Sequence, residues 1–427
     1  MLGNDRSHGL WEKTAPAPVA CTPLHGDART DVAVIGGGYT GLSAALHLAE
    51  AGVAVTVLEA VEPGFGGAGR NVGLVNAGMW VMPDHLCDVL GPVRGERLLN
   101  LLGDGPREVF ALVDRLGIEC EAERSGTLHC AVGRGGLAEI ARRQAQWVLR
   151  GAPVRLLDAA ETRARTGSSA YAGALLDARA GTIQPLAYAR GLTRAALAAG
   201  ARIFTGSAVR DAQAQGGKWR LSTGHGTLTA DRVIVATDAY ASGPWSQVRT
   251  EQVHLPYFNV ATPPLPPDIR ETILPGREGA WDTRDVLSSF RMDRAGRMVF
   301  GSVGALRGTG TAIHRAWAHR ALRRLFPQIG PVTFAAEWYG QIGMTGDNLP
   351  RFHRFADNVI SFSGYNGRGI APGTVFGRLA AALMQGTLQD GELPLPVSPV
   401  TRPRLGRARE AFFEAGAQIV HAASMRW

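Results

Sequence analysis

The stretch from Asp31 to Glu59 constrains this chain more than any other. Asp31-Val32-Ala33-Val34-Ile35 is a short apolar run of strand type, and it leads directly into Gly36-Gly37-Gly38-Tyr39-Thr40-Gly41, which satisfies G-x-G-x-x-G. Leu42 to Ala51 carries apolar residues at helical spacing. Gly52 stops that helix, and Val53 to Leu58 is a second strand closed by Glu59. Strand, glycine turn, helix, strand and acid in this register form one dinucleotide-binding unit. Gly36 allows the tight turn out of the strand. Gly38 lets a pyrophosphate approach the backbone, where any Cβ would collide. Gly41 lets the helix pack closely on the sheet. The helix N-terminus supplies free N–H groups and partial positive charge. Glu59 is placed to accept from a ribose 2′-OH, which points to FAD or NAD and away from NADP, whose 2′-phosphate it would repel.

With 427 residues the chain can bury a large core, as one large or two intertwined domains. Its 45% hydrophobic and 19% charged residues are ordinary for a globular protein. No apolar run is long enough to span a membrane, and the polar, proline-bearing start lacks a signal-peptide core, so a cytoplasmic location is expected. Cys21, Cys87, Cys120 and Cys130 show no C-x-x-C pair and no metal-type spacing, which predicts free thiols and no metal. The net charge of +8 is almost all arginine, since lysine occurs only at Lys13 and Lys218. These arginines are scattered and not interleaved with aromatics, which argues against nucleic acid. An anionic cofactor and an anionic substrate each suit the bias. His314 to Arg324 reads as the solvated face of an amphipathic helix ending before Pro327, and Arg402, Arg404, Arg407 and Arg409 as a surface tail.

Further along, Val61 to Asn76 is a second glycine-rich loop, with Gly64 to Gly73 at its core. A helix is expected over Val93 to Leu116. Val209 to Ala212, Lys218 to Thr223 and Thr227 to Thr229 form a small β unit, and Asp231 to Thr237 is a buried parallel-type strand. Val286 to Met292 and Arg297 to Val303 read as antiparallel strands of a separate sheet. Asn358 to Ser363 is then a strand, Gly364 to Gly373 a third glycine loop, and Thr374 to Met384 a long helix. The chain thus enters a nucleotide domain, leaves it, and returns. A second helix N-terminus aimed at the cofactor suits a flavin, whose reduced ring carries negative charge around N1 and the C2 carbonyl.

Three motifs now stand in a characteristic order: Val34 to Ala45, Gly64 to Gly73 with Gly69-Arg70-Asn71, and Gly364 to Gly373. With Trp338-Tyr339-Gly340 and Thr345-Gly346-Asp347-Asn348-Leu349-Pro350, they resemble the D-amino-acid oxidase-like flavoproteins over about Trp11 to Leu393. The likeness is strongest to the γ-glutamylputrescine oxidase branch. The resemblance implies an α/β fold with a discontinuous Rossmann-like FAD-binding domain (1–85, 150–240 and 335–427). It also implies an α+β substrate domain (86–149 and 241–334) whose antiparallel sheet roofs the flavin. It implies oxidation of a C–N bond by hydride transfer to flavin N5, giving an imine that water hydrolyses, with oxygen or a quinone as electron acceptor. The family often shows Ala-Ser-Gly-Arg-Asn where this chain has Gly67-Ala68-Gly69-Arg70-Asn71, so the contact of that serine is missing. No cysteine or histidine matches a tethering position, so non-covalent FAD is expected.

The expected cofactor residues are Gly36, Gly38, Tyr39, Thr40 and Gly41 in the first turn and helix, with Glu59 and Ala60 at the second strand. Gly69, Arg70, Asn71 and Val72 follow in the second loop, and Val209, Ala236 and Thr237 in the returning strands. The third loop adds Gly364, Asn366, Gly367, Arg368, Gly369 and Ile370. No paired carboxylates, H-E-x-x-H or nucleophile elbow occur. This suits amine oxidation, because desolvation alone can deliver a neutral amine. Pocket candidates are Met79 and Trp80, Tyr257 and Phe258, and Tyr339 beside Trp338. Arg291 is a candidate clamp for an acidic substrate group, against a solvent-facing role. His254 and His353 read as structural. Two other functions stay open: oxidation of a 2-hydroxy acid, which calls for a histidine base, and a flavin-bearing subunit inactive without a partner. Oligomeric state is open.

Overall fold

The computed structural model describes residues 8–424. Two large sheets dominate. In the first, the strands Val359–Ser363, Gly226–Val235, Gly26–Ile35, Val55–Leu58 and Arg202–Phe204 run parallel in that order. Arg351–Ala356 closes one edge antiparallel, and the hairpin Asp211–Gln215 and Lys218–Ser222 extends Gly226–Val235. Alternation explains why these strands are apolar throughout. Val32, Val34, Val55 and Val57 face one core, while Ala33, Ile35 and Leu58 face another. Burial on both faces is the signature of a covered parallel sheet, and each fully buried valine or leucine contributes roughly 1.5–3 kcal/mol. The helices Tyr39–Glu50, Pro185–Ala198 and Ile370–Gln385 supply the first cover.

The second sheet is mostly antiparallel. Its order is Ala336–Met344, Val253–Ala261, Met298–Val303, Ser288–Met292, Gly279–Asp282, Thr127–Ala131, Gly173–Asp177 and Val154–Leu157, with one parallel pair, Gly279–Asp282 beside Thr127–Ala131. The helix Thr309–Leu325 packs on its outer face through Trp317, Ala318, Ala321 and Leu325, and His314, read from sequence as part of the solvated face, is fully buried. This sheet draws on more of the chain than the boundaries read from sequence. Val154–Leu157, Gly173–Asp177 and Ala336–Met344 all belong to it, although they fall inside segments assigned to the nucleotide domain. These strands are short or interrupted by polar residues, and nothing in their own pattern says which sheet they join.

Three further differences have local causes. The helix expected over Val93 to Leu116 is two helices, Pro92–Gly103 and Gly105–Arg115, broken where Pro106 occupies the first turn of the second. Segment 119–121, ahead of the strand Thr127–Ala131, forms no strand, and all four cysteines are free, two buried and two half-buried. The basic tail leads into an 18-residue helix, Gly406–Ala423, that buries Ala417 and His421 against the roof. Among the described residues, no helix is long and apolar enough to cross a membrane and no cluster of metal ligands occurs.

Candidate active site

Ile35, Leu58 and Ala236 mark the carboxyl ends of three adjacent parallel strands, and all three border one cavity of about 710 Å³. That is where an open parallel sheet offers a ligand crevice. Two helix N-termini reach the same space. Gly38 caps Tyr39–Glu50 and Gly369 caps Ile370–Gln385, and neither helix receives a side-chain cap. Their first N–H groups and positive dipole ends are therefore available to an anionic partner. Glycines bring the two helices together: a Cβ on Gly377 would stand 2.5 Å from the Thr40 carbonyl oxygen. Ser43 donates to the Thr374 carbonyl at 2.7 Å, and the hydroxyls of Thr40 and Tyr365 share a 2.6 Å hydrogen bond.

Glu59 lies at the cavity wall with its carboxylate accepting from the N–H groups of Gly37 (2.6 Å) and Val61 (2.9 Å). Burial pushes its carboxyl above the usual range, and those backbone donors offset part of the rise. Asp238, just past the strand Gly226–Val235, holds the third glycine loop. Its carboxylate accepts from Gly364 N–H at 2.7 Å and from the Gln252 amide at 2.9 Å, while burial raises its proton affinity.

A dinucleotide fits these residues. A Cβ built on Gly38 meets only Ala68 Cβ, at 4.0 Å, and one on Gly369 meets nothing within 4 Å, so both backbones are open to a ligand. Along the wall, Asn76 Oδ1, Thr237 Oγ1, Trp281 Nε1 and both Nε and Nη2 of Arg70 are buried without a hydrogen-bond partner. Buried polar atoms are normally paired, so this set of donors and acceptors suits a polar guest.

Most of the residues expected from sequence line the cavity: Gly36, Gly38, Tyr39, Thr40, Glu59, Ala60, Arg70, Asn71, Val72, Val209, Ala236, Thr237, Asn366, Gly367, Gly369, Ile370, Trp80 and Tyr257. Eight lie outside the wall. Gly41 performs the packing role alone, since a Cβ there would stand 2.0 Å from Gly36 O. Gly69 likewise makes room for the carbonyl of Gly64, and Gly364 turns the chain at φ 75°. Arg368 sits behind the wall, donating to the Ala77 carbonyl at 2.8 Å. Its guanidinium lies over Trp80 (5.0 Å) and Trp281 (5.4 Å), and burial pushes its pKa down to about 9. Tyr339 joins Phe258 on the opposite face of the roof, in the core beneath Thr309–Leu325. Arg291 is neither a clamp nor solvent-facing. It is fully buried beyond the end of the cavity, donates to the Ile183 carbonyl, and lies 5.7 Å over the Trp11 ring with Glu121 at 3.9 Å. Met79, too, is core.

The roof residues were the main omission. Leu255, Trp281, Arg284, Asp285, Leu287, Ser289, Val303 and Ile342 line the cavity, as do Phe65 and Tyr240. Tyr240 accepts the Gln341 N–H at 2.9 Å and so joins the two domains. Leu255 was within reach, since it stands two residues before Tyr257 on one strand and shares its face.

Comparison with known proteins decides the family. The FAD dependent oxidoreductase family matches residues 31–383. The chain belongs to this family. The FAD-dependent oxidoreductase is 33% identical over 373 residues to γ-glutamylputrescine oxidoreductase of Escherichia coli K12, covering 85% of each chain. It is 31% identical to a probable oxidoreductase, OrdL, of Rhizobium meliloti, covering 89% of this chain and 88% of that one. The crystal structure of glycine oxidase from Geobacillus kaustophilus shares the fold, with a TM-score of 0.72 at 21% identity over 88% of this chain and 99% of that chain. The chain is thus an FAD flavoprotein, and the fold expected from the motifs is the one found.

Proposed function

We propose that this flavoenzyme oxidises the C–N bond of a small primary or secondary amine, with oxygen or a quinone as final acceptor. In this reading Glu59 and Ala60 hold the adenosine, and Gly38 with the helix N-terminus at Tyr39 holds the pyrophosphate. Gly369 and Ile370, at the other helix N-terminus, would hold the flavin. When bound, the flavin supplies the two-electron acceptor, taking hydride at N5 and leaving an imine that water hydrolyses to an aldehyde or keto product plus amine or ammonia.

What the protein adds is placement and desolvation. Leu255, Leu287, Val303 and Ile342 with Trp80 and Trp281 make an apolar, aromatic wall. Desolvation there favours the neutral amine, whose lone pair is needed to expel hydride. The Tyr257 hydroxyl shares a 2.6 Å hydrogen bond with Ser289 Oγ, and burial raises its phenol above the usual range, so it orients substrate as a protonated group. Asp285, exposed at the rim, draws in a cationic amine, and half-buried Arg284 beside it reads an anionic tail on that amine. Among the described residues no histidine or cysteine lines the wall. This supports amine over 2-hydroxy acid oxidation, which calls for an imidazole base, and it supports FAD held without a covalent tether. The observation carrying the proposal is one continuous cavity, with an open glycine cradle at one end and an apolar roof at the other. The relative named for γ-glutamylputrescine supports the substrate class. Anaerobic bleaching of the yellow holoprotein by a panel of amines, N-methyl amino acids, aminophosphonates and hydroxy acids tests it. Reduction by amines is expected, and reduction by hydroxy acids alone would overturn it.

A further inference from the structure

The final helix, Gly406–Ala423, has one face built into the protein and one face built for something else. Inward, Ala417 and His421 are buried, Glu410 accepts from the His254 backbone N–H at 3.0 Å, and Glu414 pairs with Arg307 at 2.6 Å. These are the only acids of the helix, and both are spent on protein partners. Outward, Ala408, Phe412, Ala415 and Ile419 follow one another at helical spacing, all exposed, with Phe413 and Val420 alongside. Phe412 is 72% and Ile419 is 68% accessible. A face this apolar on a helix already docked is not explained by its own packing.

Charge says what covers it. Arg402, Arg404, Arg407 and Arg409 lead into the stripe, all exposed, and among the described residues none has a carboxylate partner. A basic run opening onto an apolar helix face matches a surface that is anionic outside and hydrocarbon beneath. A second copy of this chain would bring an identical stripe with an identical arginine cluster, and hence no charge complement. We infer that Gly406–Ala423 is an in-plane anchor that binds the enzyme to an anionic lipid surface, with Phe412 and Ile419 buried among acyl chains and the four arginines at the headgroups. The anchor has a direct connection to the flavin site. A smaller cavity at the end of this helix, lined by Val420, His421 and Ser424, shares Arg284 and Asp285 with the main cavity.

The test is co-sedimentation of the FAD-loaded full chain with vesicles of phosphatidylcholine plus phosphatidylglycerol, against pure phosphatidylcholine. Binding only to the anionic vesicles is expected, with release at high salt. Each single change Arg402→Gln, Arg404→Gln, Arg407→Gln or Arg409→Gln should weaken it about five-fold. The pair Phe412→Asp and Ile419→Asp should abolish sedimentation while FAD content and thermal midpoint stay at wild-type values, since both side chains are solvent-exposed. Wild-type protein that stays in the supernatant with anionic vesicles overturns the inference, as does an aspartate variant that still sediments. So does a wild-type dimer, seen by analytical ultracentrifugation, that Phe412→Asp splits.

Discussion

Replacing Gly38 by alanine separates cofactor binding from folding. The backbone there is extended, at φ −84° and ψ −174°, which any residue adopts without strain. An added methyl meets nothing nearer than Ala68 Cβ at 4.0 Å. The protein alone therefore accepts the change, and the stiffer unfolded chain favours the native state by about 0.4–1 kcal/mol. The methyl occupies space at the cavity wall assigned to the pyrophosphate. Forcing a methyl into a filled, rigid contact costs about 1–3 kcal/mol, which weakens FAD roughly 5- to 150-fold. Gly41→Ala is the counter-case: its Cβ would stand 2.0 Å from Gly36 O, so the helix must move whether or not FAD is present. The assay is the thermal midpoint as a function of FAD concentration, since ligand adds RT ln(1 + [L]/Kd) to stability. For Gly38→Ala the FAD-free midpoint should sit at or above wild type while the titration moves to higher FAD. A titration that coincides with wild type, or an FAD-free midpoint that falls, refutes the cradle.

Arg291→Met should cost about 1–3 kcal/mol in urea unfolding by stranding the Ile183 carbonyl, with KM for every amine unchanged; a rise in KM confined to anionic substrates would restore its role as a clamp. Tyr257→Phe should lower kcat/KM only about 2- to 10-fold, the worth of one hydrogen bond, without moving the pH profile; a shifted profile would make the phenol an acid or base. The third concerns pH. Burial lowers the pKa of His314 to about 4 and that of His421, with help from His314 beside it, to about 3. Their Nδ1 atoms lie 2.8 Å apart, and Glu414 and Arg320 are the other charges facing the pair. The unfolded chain, with imidazoles near 6.5, takes up protons that the folded chain refuses. Stability is therefore full above that value and falls as pH drops toward about 4, by up to about 1.4 kcal/mol per pH unit for each histidine. Urea midpoints measured across that window should show the slope, and the double change His314→Phe with His421→Phe should reduce it, leaving the share of His8 and His129, whose pKa burial also lowers.

The nucleotide half was legible because its chemistry is carried by backbone. A tight turn, a close approach and a helix N-terminus each demand glycine, and glycine is visible in sequence; Gly36, Gly38 and Gly369 all border the cavity. The roof was not, and the reason is the phase of its strands. Ser288–Met292 and Met298–Val303 are buried at every position, so no polar alternation tells the cavity face from the helix face. Tyr257 and Phe258 look equivalent until pairing is known. Tyr257 lies opposite Gly340 and meets the cavity, while Phe258 lies opposite Tyr339 and both enter the core under Trp317. Even correct phase would not have been enough. Ser289 and Arg291 share a face of one strand, yet Ser289 meets Tyr257 at the cavity, whereas Arg291 ends beneath Gly73 and Ile183 with its charge buried. Which of two like-facing residues touches substrate depends on what the rest of the chain lays over each end of the strand. Here that cover comes from Leu74–Val75 pairing with Gly181–Thr182, a long-range contact that no local pattern in either segment announces.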